Sequence, residues 1–259
     1  MRKLTNDYDF PEAVVRAVQD DDYDRGDSDY TVTELLKPPR ILALQRKYKE
    51  KIVEDVSDLI YAFEGKILHK VLEEANRAAL VEKRFYAKVA GKKISAQIDS
   101  LCYEHGRLSD WKRCPAFKLT SKEPDWAFQL NTQAFLLIEN GLEVNELEIV
   151  AFAKDHSKVQ AATVKSYPKS AIKRIPIELW DKEKTKAMIE ERIEIHEKAK
   201  KSLPKCSDDE RFKRFNRSFG AIVPLRCMFY CNVSNWCEQY KEELKKENAN
   251  EVSVSPKSK

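Results

Sequence analysis

The segment ISAQIDSLCYEHGRLSDWKR, residues 94 to 113, constrains this chain more than any other, because it reads as two short strands joined by a turn. In an extended strand, residues two apart share a face. Asp110 and Lys112 therefore project together, while Trp111 points away. In the preceding strand Ile94, Ala96 and Ile98 form an apolar face, and Ser95, Gln97 and Asp99 form a polar one. Two acids and a lysine converge on one side of the hairpin.

Close carboxylates repel unless a cation or a proton lies between them. Hard oxygen ligands suit Mg²⁺ or Mn²⁺, and such an ion activates water and stabilises in-line displacement at phosphorus. A bare D-x-K tripeptide is more often an ordinary surface ion pair, so the surrounding motifs decide.

Those motifs stand in a recognisable order. GKILH (Gly65 to His69), AQID ending at Asp99, DWK (Asp110 to Lys112) and QLNTQ (Gln129 to Gln133) together resemble the RecB-type exonuclease branch of the PD-(D/E)xK nucleases. The likeness covers roughly residues 31 to 237. The chain is also similar to bacteriophage-encoded members. The resemblance implies a restriction-endonuclease-like α/β core, with a mixed central β-sheet flanked by helices. It implies a metal-dependent deoxyribonuclease, an exonuclease of DNA recombination or repair, with DNA as substrate and a single-strand annealing protein as a recombination partner. His69, Asp99, Asp110 and the Trp111 carbonyl would be the metal ligands, Lys112 would assist the attacking water, and Gln129 would hold the lysine, a water or a phosphate. One departure is plain: Gln133 stands where the family carries tyrosine. The alternative is an inactive DNA-binding or scaffold protein that keeps the fold, against which stands the intact set of His69, Asp99, Asp110 and Lys112.

The six cysteines form no disulfide framework if the protein is cytoplasmic, the cytoplasm of a bacterial host if phage-encoded. Cys227, Cys231 and Cys237 are spaced C-x3-C-x5-C, with Cys206 upstream, and four thiolates can close a zinc site or hold an iron-sulfur cluster. CRISPR-associated and AddB-type nucleases are similar in holding a [4Fe-4S] cluster on three closely spaced C-terminal cysteines and a fourth from before the first motif. This chain has no cysteine before Cys102, so Cys206 is the substitute. Zn²⁺ is the alternative occupant, and free cysteines packed with Phe229, Tyr230 and Trp236 are the plain one. Cys102 and Cys114 read as core or loop residues.

With 259 residues, 42% hydrophobic and 35% charged, the chain can bury one sizeable core. No apolar run resembles a signal peptide or a membrane span. A net charge of +4 does not identify a partner, but KSYPKSAIKR (165 to 174) and RFKRFNR (211 to 217) are basic stretches with interleaved aromatics. The pattern predicts an N-terminal arm over 1–30, a nuclease core over 31–200, a four-cysteine segment over 201–240 and a disordered tail over 241–259. Within the core it predicts a helix capped by Thr31 or Thr33 and ended near Pro38, a long helix from Val56 to about Leu80, a three-stranded meander, a helix ended by Gly141, and a strand through ELEIVAFAKD. Gly65 inside the long helix costs about 1 kcal/mol relative to alanine, which predicts a close approach of backbone or ligand there.

Overall fold

The computed structural model describes residues 3–19, 25–76, 79–121 and 123–253. Its elements in chain order are β1 (Lys3–Thr5), α1 (Glu12–Gln19), β2 (Tyr30–Thr31), α2 (Val32–Leu36), α3 (Pro39–Lys47), β3 (Val53–Asp55), α4 (Val56–Ala75), β4 (Ala79–Val81), β5 (Arg84–Val89), β6 (Lys92–Gln97), β7 (Ser100–Cys102), β8 (Arg107–Cys114), α5 (Pro124–Glu139), β9 (Glu146–Ala153), α6 (Lys158–Thr163), β10 (Ile172–Ile177), α7 (Lys182–Lys201), β11 (Lys213–Asn216), β12 (Ala221–Pro224) and α8 (Glu238–Ser253). They divide into two units, each discontinuous in sequence. One comprises Met1–Asp7, Lys37–Asp55 and Ile195–Lys259, the other Tyr8–Leu36 and Val56–Glu194. The stretch Lys37–Asp55, which sequence reasoning placed inside the nuclease core, thus belongs with the cysteine-bearing segment.

The larger unit is built on a five-stranded sheet in the order β10-β9-β8-β7-β4, with β8 and β9 parallel and the other neighbours antiparallel. A second sheet runs β2-β6-β5. This is the expected α/β architecture with a mixed sheet flanked by helices. Leu101, Leu108, Ile149 and Ala151 from the strands pack with Leu130, Ala134 and Leu137 of α5, all nearly inaccessible to solvent. Burial of that continuous apolar layer is the principal stabilising term, at about 25 cal/mol per Å².

The expected meander is present but folded at its middle. β4 pairs with β7 in the larger sheet, whereas β5 pairs with β6 in the smaller one. Both chain segments change sheet at the same level, through Glu82-Lys83 on one and Ile98-Asp99 on the other, where the Ile98 N–H donates to the Lys83 carbonyl at 3.0 Å. Glu82 takes φ 50° at this bend, a left-handed conformation that only a few per cent of non-glycine residues adopt. The two acids at the bends face one region.

Helix boundaries follow their local chemistry. Thr31 Oγ1 accepts the Glu34 N–H at 3.1 Å and Glu34 Oε2 accepts the Thr31 N–H at 3.1 Å, a reciprocal capping box that starts α2. Pro39 then opens α3, where its missing N–H costs nothing. α4 stops at Ala75, earlier than its apolar period suggests, because Leu80 belongs to β4. α5 ends before Gly141, whose φ of 79° suits a helix terminus.

In the smaller unit β1 and β3 pair in parallel, and β11 and β12 form an antiparallel ribbon. Composition predicted disorder from 241 onward, yet α8 continues to Ser253. Lys213 and Arg211 both pair with Glu243, which ties α8 to the ribbon. Residues 254–259 of the expected tail, and residues 20–24 of the expected N-terminal arm, lie outside the described residues. Among the described residues no helix is long and apolar enough to cross a membrane.

Candidate active site and cysteine pocket

A cleft of about 730 Å³ opens in the larger unit, bordered by α4, the two strand bends, β8 and α5. His69, Asp99, Asp110, Lys112 and Gln129 all line it, as do Glu82 and Gln133. The expected residues are therefore brought together, His69 by α4, Asp99 by the bend before β7, Asp110 and Lys112 by β8 and Gln129 by α5.

His69 reaches the cleft from α4, which the Glu64–Arg113 ion pair, 2.5 Å, fastens to β8. Its Nε2 lies 3.1 Å from the Trp111 carbonyl oxygen. A carbonyl only accepts, so Nε2 carries the hydrogen. Nδ1 faces two carboxylates, Glu82 Oε1 at 3.4 Å and Asp99 Oδ1 at 3.5 Å. Burial alone would depress this imidazole. The hydrogen bond to Glu82 and the charges of Asp99, Glu82 and Asp110 outweigh it and hold His69 above its ordinary value. The Trp111 ring is buried and meets the imidazole edge-on at 5.8 Å, so it is not turned wholly away from the site.

Asp99 Oδ2 accepts the Trp111 backbone N–H at 2.6 Å, which locks the carboxylate to β8. Burial, and then the nearby Asp110 charge, push Asp99 up to about 7, against the opposing pull of His69, Lys112 and that N–H. Asp110 is only 1% exposed. Its Oδ1 accepts from Gln129 Nε2 at 2.6 Å, and its Oδ2 lies 2.6 Å from Lys112 Nζ. That ionic contact is not aligned as a hydrogen bond, which leaves Oδ2 as a buried oxygen without a directed donor. Gln129 thus orients the acid rather than the lysine.

Sequence reasoning missed Glu82. The ligand atoms of His69, Glu82 and Asp99 all lie within 4.8 Å of one another, and Glu82 Oε2 is held by Gln97 Nε2 at 2.5 Å. Nothing in VEKRFYAKVA singles this acid out; only the paired strand bends put it opposite Asp99. Gly65 also differs from expectation. A Cβ there would meet nothing within 4 Å, so no neighbour requires glycine, and its effect is to leave the α4 wall of the cleft open. Gln133 Nε2 donates to the Gln97 carbonyl at 3.3 Å, and its buried Oε1 has no partner among the described residues. The Thr120 and Ser121 hydroxyls after β8 bond to Phe117, Lys118 and Glu123.

A divalent cation fits this cleft. Three clustered ligand atoms, an oxygen without a directed donor and a carboxyl pushed up by burial and then by the charge of Asp110 are all features that a bound cation would relieve.

The smaller unit encloses a second pocket lined by Cys206, Cys227, Cys231 and Cys237. Its walls are fixed by reciprocal bonds of 2.8 Å between Gln239 and the Cys206 backbone, by Gln45 to Asn232 at 2.8 Å, and by Tyr48 stacked on Trp236 at 5.0 Å. Burial is the main cause that pushes the Cys206 thiol to about 12 and Cys227 to about 11, and it raises Cys231 as well. The fourth side of the pocket comes from α3. Arg40, 7% exposed, donates Nε–H to Cys237 Sγ at 3.2 Å and its Nη1 to the carbonyls of Leu203 and Pro204, with no carboxylate partner among the described residues. Arg211 lines the same pocket; its Nη groups pair with Asp208 and Glu243, and among the described residues its buried Nε has no partner. Among the described residues no three of these sulfurs lie within 4.8 Å of one another, whereas a tetrahedral zinc site with Zn–S near 2.3 Å needs edges of roughly 3.8 Å. Cys114 is buried in the other unit's core and Cys102 lies in β7.

No family profile matches the chain, and no curated protein matches it. Among solved structures it is similar to the protein SSO0001, at 17% identity over 88% of this chain and 94% of that one, with a TM-score of 0.56, which is a shared fold. More distant likenesses are to a proposed exonuclease from Eubacterium rectale (12% identity, 72% of each chain, TM-score 0.37) and to LHK-Exo in complex with dAMP (15%, 67% of this chain and 92% of that one, TM-score 0.37).

Proposed function

We propose that the protein is a metal-dependent deoxyribonuclease that hydrolyses phosphodiester bonds at the His69, Asp99, Asp110 and Lys112 cleft. The observation that carries this reading is the convergence, from α4, the bend before β7 and β8, of two buried acids, a lysine in ionic contact with one of them and a histidine facing the other. Their order in the chain resembles the RecB-type nucleases.

Asp99, Asp110 and His69, with the Trp111 carbonyl beside them, would hold Mg²⁺ or Mn²⁺, which would supply Lewis acidity at phosphorus and lower the pKa of a bound water. The chain's own residues do the rest. The Trp111 N–H and the Gln129 amide fix the two carboxylates before substrate arrives, so no reorganisation is needed during reaction. Lys112, one strand pleat from Asp110, is placed to hold the attacking water and to offset charge on the phosphate oxygens. Glu82 pairs with His69 and orients its imidazole.

The four-cysteine pocket, with Arg40 as its cationic wall, is read as a [4Fe-4S] site, and Zn²⁺ remains the alternative cofactor. The ordered motifs also support an exonuclease of DNA recombination or repair working beside a single-strand annealing protein. Incubation of end-labelled linear and closed circular DNA with Mg²⁺, Mn²⁺ or chelator tests the reading. Metal-dependent shortening of linear DNA with circles left intact is expected, and cleavage of closed circles would contradict exonuclease action.

A further inference from the structure

The chain from Arg211 to Tyr230 contains five basic residues and no acidic one. It also shows more apolar surface than a two-stranded ribbon needs. Phe215 and Ile222 stand directly opposite on β11 and β12, 62% and 60% exposed. In the turn between these strands Phe219 lies 6.0 Å from Phe229, which lies 6.3 Å from Tyr230, and these three rings are 48 to 74% exposed. Arg214 and Arg217 are exposed and engage no partner among the described residues. Phe229 and Tyr230 sit between Cys227 and Cys231, so the last part of the ring row is tethered at both ends by the cysteine pocket.

Exposed rings beside free guanidinium groups match one class of ligand closely. Bases of a single strand stack on aromatic side chains whatever their sequence, while arginines follow the phosphates. A duplex hides its base faces, and its bases rise by only about 3.4 Å per step. Rings 6 Å apart therefore suit an unstacked strand. An acidic protein surface would satisfy the arginines but not the row of rings, and a second copy of this chain would bring the same positive charge against itself.

We propose that the β11–β12 ribbon and the Cys227–Cys231 turn form a binding platform for single-stranded DNA, with Phe219, Phe229 and Tyr230 stacking on bases and Arg214 and Arg217 contacting phosphates. The assignment rests on the reading that the protein works on DNA, but not on cleavage.

The test is fluorescence anisotropy of a labelled oligothymidylate longer than about 16 nucleotides, with the full-length protein in chelator so that hydrolysis does not intervene. F229A/Y230A should weaken binding by about tenfold or more. R214A/R217A should reduce the slope of log K against log salt by about 1.4, or 0.7 for each phosphate no longer neutralised. F215S, outside the cysteine turn, gives a third readout should F229A/Y230A melt early, and it too should weaken binding. Unchanged affinity in the folded ring variants overturns the platform. So does a change in oligomeric mass by light scattering with DNA binding intact, which would make the ribbon a self-association surface. Loss of cleavage activity with these affinities intact would leave the nuclease reading standing and this one refuted.

Discussion

His69 Nδ1 stands 3.5 Å from Asp99 Oδ1 and within reach of Glu82, while its other nitrogen is committed to the Trp111 carbonyl. An imidazolium there occupies the charge role of a divalent ion, so ion and proton compete for one place. Metal binding should release protons, fewer as pH rises above the His69 and Asp99 transitions. Calorimetric titration with Mn²⁺ in two buffers of different ionisation enthalpy measures this directly. An enthalpy independent of buffer at pH 6.5 would contradict the exchange.

Glu82→Gln keeps the shape of the bend and removes a charge facing His69. Mn²⁺ affinity should fall about 10- to 100-fold, the usual cost of losing an outer partner of a ligand. Equilibrium dialysis checks it. An affinity unchanged by E82Q would make this acid a structural feature of the strand bend alone.

Asp99 gives a pH signature with a definite sign. Its carboxyl rises from an ordinary 3.8 to about 7 on folding, so the folded state binds the proton more tightly. Its stabilising contribution is complete below about pH 4 and is lost as pH rises from about 4 to about 7. In chelator, the stability of the wild type should therefore decline relative to Asp99→Asn across that window, read from urea midpoints. Mg²⁺ should restore the wild type at pH 8 and not at pH 5. Parallel curves for the two proteins would refute the shift.

The cysteine pocket predicts that anaerobically purified protein carries iron and absorbs broadly near 400 nm, on the order of a cluster's thiolate-to-iron bands. Cys231→Ser should abolish the absorption. Arg40→Met keeps the side chain's bulk but removes its charge and its donor to Cys237, so the cluster should be harder to reduce and lost more readily in air. Stoichiometric zinc without iron would favour the alternative.

Much of the site was legible in the chain because it lies in regular elements. Period two placed Asp110 and Lys112 on one face of β8, and helical spacing placed His69 and Gln129 on their walls. Glu82 was not legible, since its approach to Asp99 depends on two strands bending together, which no local pattern encodes. Gly65 has no protein neighbour that requires it: glycine in a helix signals that room is needed, not whether protein or ligand fills it. The cysteine spacing announced three neighbours but not Arg40, which reaches them from 197 positions away. The polar C-terminal stretch read as disordered because its ties to Arg211 and Lys213 are tertiary.

Replacement of either catalytic charge should separate chemistry from binding. Lys112→Ala should lower cleavage by about 10²-fold or more, the scale of removing one preorganised electrostatic interaction, while DNA affinity in chelator stays within a few-fold. Nitrocellulose filter binding beside the rate assay makes the comparison. Affinity and rate falling together would assign Lys112 to substrate binding.

The central claim is that Asp110 anchors a divalent ion that hydrolyses DNA. Its most direct measurement is the release of nucleotides from end-labelled linear DNA by wild type and Asp110→Asn, each with Mn²⁺ and with chelator. The account predicts release by the wild type with Mn²⁺ alone. Release by Asp110→Asn, or by the wild type in chelator, would contradict it.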